Sequence, residues 1–170
     1  MLLSLTGCEK LSEPDDELSL EKRPYQGDEF RLDGYYYIQA SFNSEFGDAY
    51  FFYRDGVCLH IGGWSETLEE LDDYVTAVAF ESNRYQSRIS NWGVFQVEGQ
   101  TLKFERWYPT SSGGFPAFVN EGTILNDSTF HITNFYNLEG GRRTEVESRD
   151  KFYYFRAFSP KPDSTNQFIF

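Results

Sequence analysis

Short runs of aromatic and β-branched residues, separated by tight polar turns, recur along most of this 170-residue chain and constrain its fold most strongly. Aromatic residues make up 19% of the sequence, with 12 Tyr and 17 Phe, and they lie in segments whose alternation is typical of strands. Asp55-Gly56 between two apolar runs is a strong hairpin signal, because glycine accepts the positive φ that a tight turn requires. The pattern predicts a mainly β protein.

The apolar runs predict about eight consecutive strands, each joined to the next by a short turn or loop. They cover residues 35–43, 50–54, 57–61, 92–98, 101–108, 115–125, 128–136 and 144–158. The segments 93–104 and 122–132 resemble each other as glycine, strand, polar turn and strand, which favours a meander of similar hairpins. Closure into a barrel removes the open edges of such a sheet. We therefore expect an antiparallel up-and-down barrel whose first and last strands are neighbours, with a β-sandwich as the alternative.

One amphipathic helix is expected between the third and fourth strands, over residues 65–80. Thr67 and Glu70 have the spacing of a capping box at its start. Its apolar residues fall on one face at helical spacing, at Leu68, Leu71, Val75 and Val78. The helix should pack on the sheet or close one end of it.

The N-terminal Leu5-Thr6-Gly7-Cys8 resembles the lipobox of bacterial lipoproteins. The resemblance implies cleavage before Cys8 and acylation of its sulfur and new amino group, so that residues 1–7 are the remnant of a signal peptide. Residues 8–31 would be the lipidated cysteine and a disordered acidic tether, since the run after Cys8 has no periodicity. The expected partner is a membrane, reached through the lipid, and the expected location is the outer membrane of the cell envelope, on its periplasmic or outer face. A free thiol on a leucine-rich N-terminus is the alternative.

The formal charge of −12 argues against binding nucleic acid through its phosphates, which needs clustered Lys and Arg. Residues 32–158 suit one domain with its own core, and residues 159–170 form a C-terminal tail. With Cys8 acylated, Cys58 has no partner in the chain and should be a small buried hydrophobe.

Residues 32–158 resemble the lipocalin-like, or calycin-like, barrels, some of which are bacterial lipoproteins. Gly34-Tyr35-Tyr36-Tyr37 is similar to the glycine and aromatic residue that open a lipocalin's first strand. Tyrosine replaces the family's tryptophan, and the helix lies between the third and fourth strands rather than near the end. The resemblance implies a non-enzymatic barrel that binds a small hydrophobic or amphipathic molecule in its lumen.

Three predicted strands place an arginine in phase with aromatic residues, which makes Arg54, Arg106 and Arg156 candidate anchors for an anionic ligand. An unpaired charge on an apolar face is costly, and the planar guanidinium suits a carboxylate bidentately. The candidate ligand-binding residues are Arg54, Arg106, Arg156, Tyr37, Phe52, Phe104 and Tyr154. The alternative is that the arginines lie at strand ends, reach solvent or pair with nearby glutamates.

No catalytic residue, metal site or cofactor is predicted, because the usual nucleophile, zinc and phosphate-loop motifs are missing from the sequence. His60, Cys58 and His131 could supply soft metal ligands, but without close ligand spacing they indicate packing and surface positions. Two other functions stay open. One is a structural or interaction module of the envelope with a solid aromatic core. The other is a carbohydrate-binding module in which Trp64, Trp92, Trp107 or Tyr108 stacks on sugar rings.

Overall fold

Eight antiparallel strands form a closed barrel in the computed structural model, which describes residues 14–40, 45–82, 84–111 and 113–170. Each strand pairs with the next along the chain, and the first pairs with the last, with Gly34 opposite Ala157. The strands are β1 (Gly34–Gln39), β2 (Phe46–Phe52), β3 (Val57–Ser65), β4 (Trp92–Glu98), β5 (Thr101–Trp107), β6 (Ala117–Asn126), β7 (Thr129–Glu139) and β8 (Arg142–Ala157). The predicted barrel is confirmed, and the β-sandwich is excluded.

The connections between strands differ at the two ends of the barrel. At one end, called the turn end here, short turns follow β2, β4 and β6, and Gly56 and Gly99 adopt the positive φ values of 88° and 61° that these turns need. At the other end, called the mouth end, lie the connection from β1 to β2, the helical segment after β3, residues 108–116 and the β7–β8 tip at Gly140-Gly141.

The predicted helix is confirmed as α1 (Leu68–Thr76), which continues as a π-helical turn over Ala77–Glu81. Its capping box is present, because the Thr67 hydroxyl accepts the Glu70 N–H and the Glu70 carboxylate accepts the Thr67 N–H. Leu71 and Val75 are buried against the outer wall of β2 and β3. In the part of the chain that the structure describes, no helix is long and apolar enough to cross a membrane.

Two apolar cores lie on opposite sides of the barrel wall. The inner core fills the barrel with residues from all eight strands, and the outer core lies between β1–β4 and helix α1. Because this part of the wall is covered on both faces, successive residues such as Tyr35 and Tyr36 are both buried, each on its own side. The continuous aromatic runs of β1 and β2 follow from this double coverage.

An N-terminal strap, residues 14–33, runs along the outside of the barrel from the mouth end to the turn end. The Trp107 indole donates to the Asp16 carbonyl at 2.7 Å, and the Leu20 N–H donates to the Glu105 carboxylate at 2.7 Å. Farther along, the Tyr25 N–H donates to the carbonyl of Arg54 at 2.9 Å.

The strap corrects the prediction of a disordered tether over residues 8–31, because residues 14–31 are packed on the barrel. The apolar side chains within the acidic segment explain the difference. Leu18 and Leu20 lie on the outer core, while Tyr25 and Phe30 are buried in the inner one. Residues 8–13, with the predicted lipidation site Cys8, lie outside the described residues.

The C-terminal tail, residues 159–170, also packs on the barrel. The Lys161 ammonium donates to the carbonyls of Leu32, at 2.8 Å, and Phe52, and it lies 4.1 Å from the centroid of the Tyr53 ring. Burial lowers the pKa of Lys161 to about 8. Ile169 is buried in the outer core, so the tail is fastened at both of its ends.

Candidate binding site at the mouth of the barrel

Aromatic rings fill the barrel interior toward the turn end. The centroid of the Phe52 ring lies 5.1 Å from that of Phe95, 5.3 Å from Phe30, 5.7 Å from Phe104 and 5.9 Å from Phe130. Phe30 comes from the strap and is 2% exposed, so it closes this end as a plug. The rings are in van der Waals range of one another, and this part of the lumen holds side chains rather than a ligand.

Toward the mouth, the inward-facing residues change from aromatic to charged. The register places His60 beside Tyr50 and Arg106 beside Gly93, on the inner face. Three cations, Arg106, Arg149 and Lys151, face two carboxylates, Asp48 and Glu147. The mouth therefore carries a small positive excess inside a chain whose net charge is −12.

Arg106 is the most buried of these charged residues, with 7% of it exposed. Its Nε donates to the Tyr50 hydroxyl at 3.0 Å, and its Nη1 donates to the carbonyls of Ser90 at 2.9 Å and Trp107 at 3.3 Å. The guanidinium carbon lies 3.8 Å from the centroid of the Tyr108 ring. All these partners are neutral, and among the described residues no carboxylate lies within 4.0 Å of the Arg106 guanidinium.

Gly93 on β4 provides the space that Arg106 occupies. A Cβ atom at Gly93 would lie 2.8 Å from the Cβ of Arg106 and 3.1 Å from the sulfur of Cys58, closer than packed carbons approach. Cys58 is fully buried, as predicted, and burial raises the pKa of its thiol to about 12. This thiol is inert packing beside the site.

Asp48 is the acidic centre of the mouth. Its carboxylate lies 2.5 Å from His60 Nε2, accepts the Tyr153 hydroxyl at 2.9 Å and lies 3.9 Å from the Lys151 ammonium. Burial alone would raise the pKa of Asp48, but His60, Arg106 and Lys151 lower it by more. The net effect holds the pKa of this carboxyl well below its usual range, so Asp48 is ionised at neutral pH.

His60 is held neutral beside this carboxylate. Burial lowers the pKa of His60, and the charge of Arg106 lowers it further, which outweighs the attraction of Asp48. Neutral imidazole with Nε2 donating to Asp48 leaves Nδ1 as an acceptor. Within the described part of the chain, this Nδ1 is buried and has no hydrogen-bond partner. The mouth thus contains one acceptor without a partner, near the Arg106 cation, which makes no direct ion pair with a carboxylate of the described residues.

The backbone of Asp48 is unusual as well. Its φ of 53° is left-handed, and it is the one non-glycine residue of the described chain with a positive φ. It lies where the pairing of β2 with β3 is irregular, between Gly47 and Ala49. Aspartate tolerates this conformation better than most residues, and a bulge redirects a side chain. The irregularity brings the Asp48 carboxylate to the imidazole of His60.

An aromatic rim lies above the charged residues. Phe118 and Phe135 stack with their centroids 4.6 Å apart, and Tyr108 meets Phe135 edge-on at 5.1 Å. The guanidinium of Arg149 lies 3.6 Å from the centroid of the Phe135 ring. The Asn120 amide donates to the Tyr108 hydroxyl at 2.8 Å, which fixes the ring that covers Arg106. An apolar rim over one buried and two partly exposed cations suits an amphipathic anion.

The structure separates the three candidate arginines. Arg106 is inside the mouth, but Arg54 is exposed at the turn end, where its Nη1 donates to the Gly27 carbonyl at 2.6 Å. Arg156 lies on the outer wall, with its Nε 2.9 Å from either carboxylate oxygen of Asp72 on α1. The expectation that the three guanidinium groups point into one interior is therefore wrong.

The four candidate aromatic residues also divide between the two faces. Phe52 and Phe104 belong to the inner core. Tyr37 and Tyr154 face outward and contact each other, with ring centroids 6.1 Å apart. On β8 the inner face carries Tyr153 and Phe155 instead. Aromatic residues occupy both faces of this strand, so the sequence pattern did not show which of them point into the barrel.

Sequence reasoning missed most of the charged mouth. Asp48, Arg149 and Lys151 were not singled out, and His60 was considered only as a metal ligand. A signal was present on β2, since counting back by twos from Phe52 and Tyr50 reaches Asp48 on the same face. The pairing of strands that brings Asp48 to His60 is not visible in that count.

The other candidate sites are dispersed. His131 lies on the outer wall, stacked on Phe152 at 4.0 Å and hydrogen-bonded to Asp150, away from His60. No group of three His, Cys, Asp or Glu residues in the described ranges could hold a metal ion. Of the tryptophans proposed for sugar stacking, Trp92 and Trp107 are buried, and Trp64 is 49% exposed.

Comparison with known proteins adds no assignment, since the chain matches no protein-family model, no curated protein and no solved structure.

Proposed function

We propose that this chain is a lipid-anchored, non-enzymatic protein of the cell envelope whose barrel binds the anionic head of a small amphipathic molecule at its mouth. The observation that carries the proposal is Arg106, a buried guanidinium whose described partners are all neutral. An arginine stays charged in proteins, and a buried charge is unfavourable unless it is paired. The charge of Asp48 acts on Arg106 without a direct ion pair, because the Asp48 carboxylate contacts His60, Tyr153 and Lys151. A carboxylate or phosphate group would supply the direct partner through charge-assisted hydrogen bonds.

The surroundings of Arg106 support an amphipathic ligand. Arg149 and Lys151 add positive charge at the mouth, and the Phe118 and Phe135 rings offer an apolar surface directly above it. The rings around Phe52 occupy the interior below, so the ligand's head enters the mouth while its apolar part contacts the rim. This differs from the expected lumen site, in which the whole molecule would lie inside the barrel.

The lipid anchor rests on the lipobox-like Leu5-Thr6-Gly7-Cys8. Several acyl chains hold a protein stably on a membrane, whereas one does so only marginally. Replacing Cys8 by Ser in a chain with its complete signal should release the protein from the membrane fraction. Unchanged retention, with no acyl mass on the N-terminal peptide, would contradict the anchor.

Arg106→Met tests the binding site. Methionine keeps much of the side-chain volume and removes the charge, so the affinity for a fluorescent fatty acid should fall by about 10- to 100-fold. The uncharged methyl ester of the same fatty acid should bind the parent about as weakly as the acid binds the variant. Fluorescence titration measures both affinities, and circular dichroism confirms that the variant is folded.

Arg54→Met and Arg156→Met are matched controls, because they remove the same charge at the turn end and on the outer wall. Both should bind the fatty acid as the parent does. Arg106→Lys, which keeps the charge but loses the planar fork, should bind with intermediate affinity. Equal binding by the parent and a folded Arg106→Met variant would refute the anchoring role of Arg106.

The filled interior around Phe52 favours a second candidate, a packed structural or interaction module of the envelope. A native mass spectrum of protein purified from its own envelope separates the two functions. A bound anionic lipid or acid supports the binding barrel. Apo protein only, together with no affinity for the fatty acid, supports the structural module, and a bound glycan would instead indicate the carbohydrate-binding alternative.

A further inference from the structure

We propose that the mouth end of the barrel faces the bilayer that holds the lipid on Cys8, so that the Arg106 site opens toward the membrane surface. This inference rests on the proposed lipid anchor and deepens the proposed function, because it names a lipid surface as the partner of the mouth. The path of the strap supports it, together with an uncharged connection at the mouth rim.

The strap begins at the mouth rim. The Asp15 N–H donates to the Phe115 carbonyl at 3.2 Å, and the Phe115 N–H donates to the Asp15 carboxylate at 2.7 Å. Phe115 belongs to the connection between β5 and β6, which is a mouth-end connection. The hydrogen bond from the Trp107 indole to the Asp16 carbonyl holds the next residue at the same level.

From the mouth rim the strap continues in one direction, toward the turn end. It passes Glu105 at Leu20 and then Gln96, whose amide donates to the Glu21 carbonyl at 2.9 Å. It reaches the turn end at Tyr25, whose backbone N–H donates to the Arg54 carbonyl. The chain that precedes Pro14 therefore joins the barrel at the mouth end.

The distance from Pro14 to the acylated residue is short. Pro14 is six positions after Cys8 in the sequence, and six fully extended residues reach about 21 Å. A seven-residue strand such as β5 is itself about 20 Å long. If the turn end faced the bilayer, residues 8–14 would have to run back along the whole barrel wall, which would use nearly all of their reach. If the mouth end faces the bilayer, no such return is needed.

Charge is unevenly distributed around the mouth end. Residues 108–116, YPTSSGGFP, contain no charged residue, although 25% of the whole chain is charged. The β7–β8 tip adds Arg142 and Arg143 against Glu139. The rest of the mouth end is acidic, because helix α1 and the start of the strap carry Glu69, Glu70, Asp72, Asp73, Asp15 and Asp16. Residues 108–116 are therefore the part of the mouth that an anionic lipid surface does not repel.

Site-specific labels on the acylated protein in phosphatidylethanolamine–phosphatidylglycerol liposomes test the orientation. Ser111→Cys places a fluorophore in the uncharged mouth connection, and Gln100→Cys places one in the turn between β4 and β5. Both positions are exposed, while Cys58 is buried and stays unlabelled. With a quencher attached to lipid headgroups, the Ser111 label should be quenched at least threefold more strongly than the Gln100 label.

The controls separate orientation from anchoring. Labelled protein carrying Cys8→Ser, mixed with the same liposomes, should show little quenching at either position. Equal quenching of the two labels, or stronger quenching at Gln100, in protein that floats with the liposomes would overturn the orientation and leave the anchor standing. Protein that neither floats nor carries an acyl mass would overturn the anchor, and the orientation with it.

Discussion

The turn end and the mouth end of this barrel are built from the same eight strands, yet their interiors are of opposite kinds. At the turn end, Phe52 is surrounded by rings, and Phe30 closes the barrel. At the mouth end, Asp48, His60 and Arg106 share one network with neutral tyrosines. The same barrel wall can therefore enclose an aromatic interior or a charged one. The difference lies in a few residues whose side chains point inward.

The two interiors contribute differently to stability. Burial of apolar surface stabilises by about 25 cal/mol per Å², and an aromatic side chain buries about 150–250 Å². Buried charges gain little overall, because desolvation offsets their attraction. We infer that the rings at the turn end contribute more to the stability of the fold than the charged residues of the mouth do. The following predictions test this division, from the largest expected effect to the smallest.

Phe52→Ala should produce the largest loss of stability. Removing a ring that contacts six others leaves a cavity in the inner core, and the free energy of unfolding should fall by about 3–5 kcal/mol in urea titrations. Phe152→Ala is the control, since this ring is 40% exposed on the outer wall, and its loss should cost less than about 1 kcal/mol. Equal losses of unfolding free energy in the two variants would contradict the inference that the rings at the turn end stabilise the fold.

Asp48→Asn should destabilise the mouth by about 3 kcal/mol at pH 7, because it removes the carboxylate that His60, Lys151 and Tyr153 share. Asparagine also tolerates the left-handed backbone, so the change isolates the charge. The folded pKa of Asp48 is lowered, so its contribution is present above the unfolded value of about 3.9 and is lost as the pH falls through the lower folded value.

Urea titrations of the parent and Asp48→Asn at pH 7 and pH 3 measure this effect. The difference between them should shrink at the lower pH. Asp150→Asn, which alters an exposed carboxylate bonded to His131 on the outer wall, should change stability by less than about 0.5 kcal/mol at either pH. A difference of the same size at both pH values would show that the carboxylate's charge is not what stabilises the mouth.

Lys161→Met should have a smaller, pH-dependent effect at the turn end. The folded pKa of Lys161 is lowered to about 8, below the unfolded value of about 10.4. Between these values the unfolded chain keeps a proton that the folded chain has lost, so the contribution of Lys161 to stability should rise by about 2 kcal/mol between pH 8 and pH 9.5. Because Cys58, with its raised pKa, acts in the opposite direction over this range, the rise should be measured in thermal melts as a growing difference between the parent and Lys161→Met.

Lys22→Met is the control for this change, since it removes a lysine whose ammonium lies 4.0 Å from Asp55 and leaves the carbonyl contacts of Lys161 intact. Lys22→Met should follow the parent's dependence on pH. A difference between the parent and Lys161→Met that does not change with pH would contradict the lowered pKa of Lys161.

The architecture was accessible from the sequence because its signals are local. The turn glycines Gly56 and Gly99 and the capping pair Thr67 and Glu70 each act within a few residues, and the structure has them where the sequence predicts. The face of each ring was harder to predict. Where α1 covers β2 and β3 from outside, both faces are apolar, and alternation carries no information about which face is inside.

The candidate site depends on contacts that a linear pattern does not contain. Asp48 reaches His60 through an irregularity in strand pairing, and Arg106 fits because Gly93 lies opposite it on the neighbouring strand. The strap was missed for a different reason. The acidic composition of the segment hid four well-spaced apolar residues, Leu18, Leu20, Tyr25 and Phe30.

The strap has a mechanical consequence. It lies along the barrel wall from Asp15, at the mouth, to Tyr25, at the turn end. A force that pulls on Pro14 away from the mouth acts parallel to the strap, so its hydrogen bonds to Phe115, Trp107 and Glu105 are loaded together in shear rather than peeled one after another. The Phe30 plug, at the far end of the strap, bears load only after those bonds have failed. Tension on the N-terminus is therefore spread over the wall before it reaches the inner core.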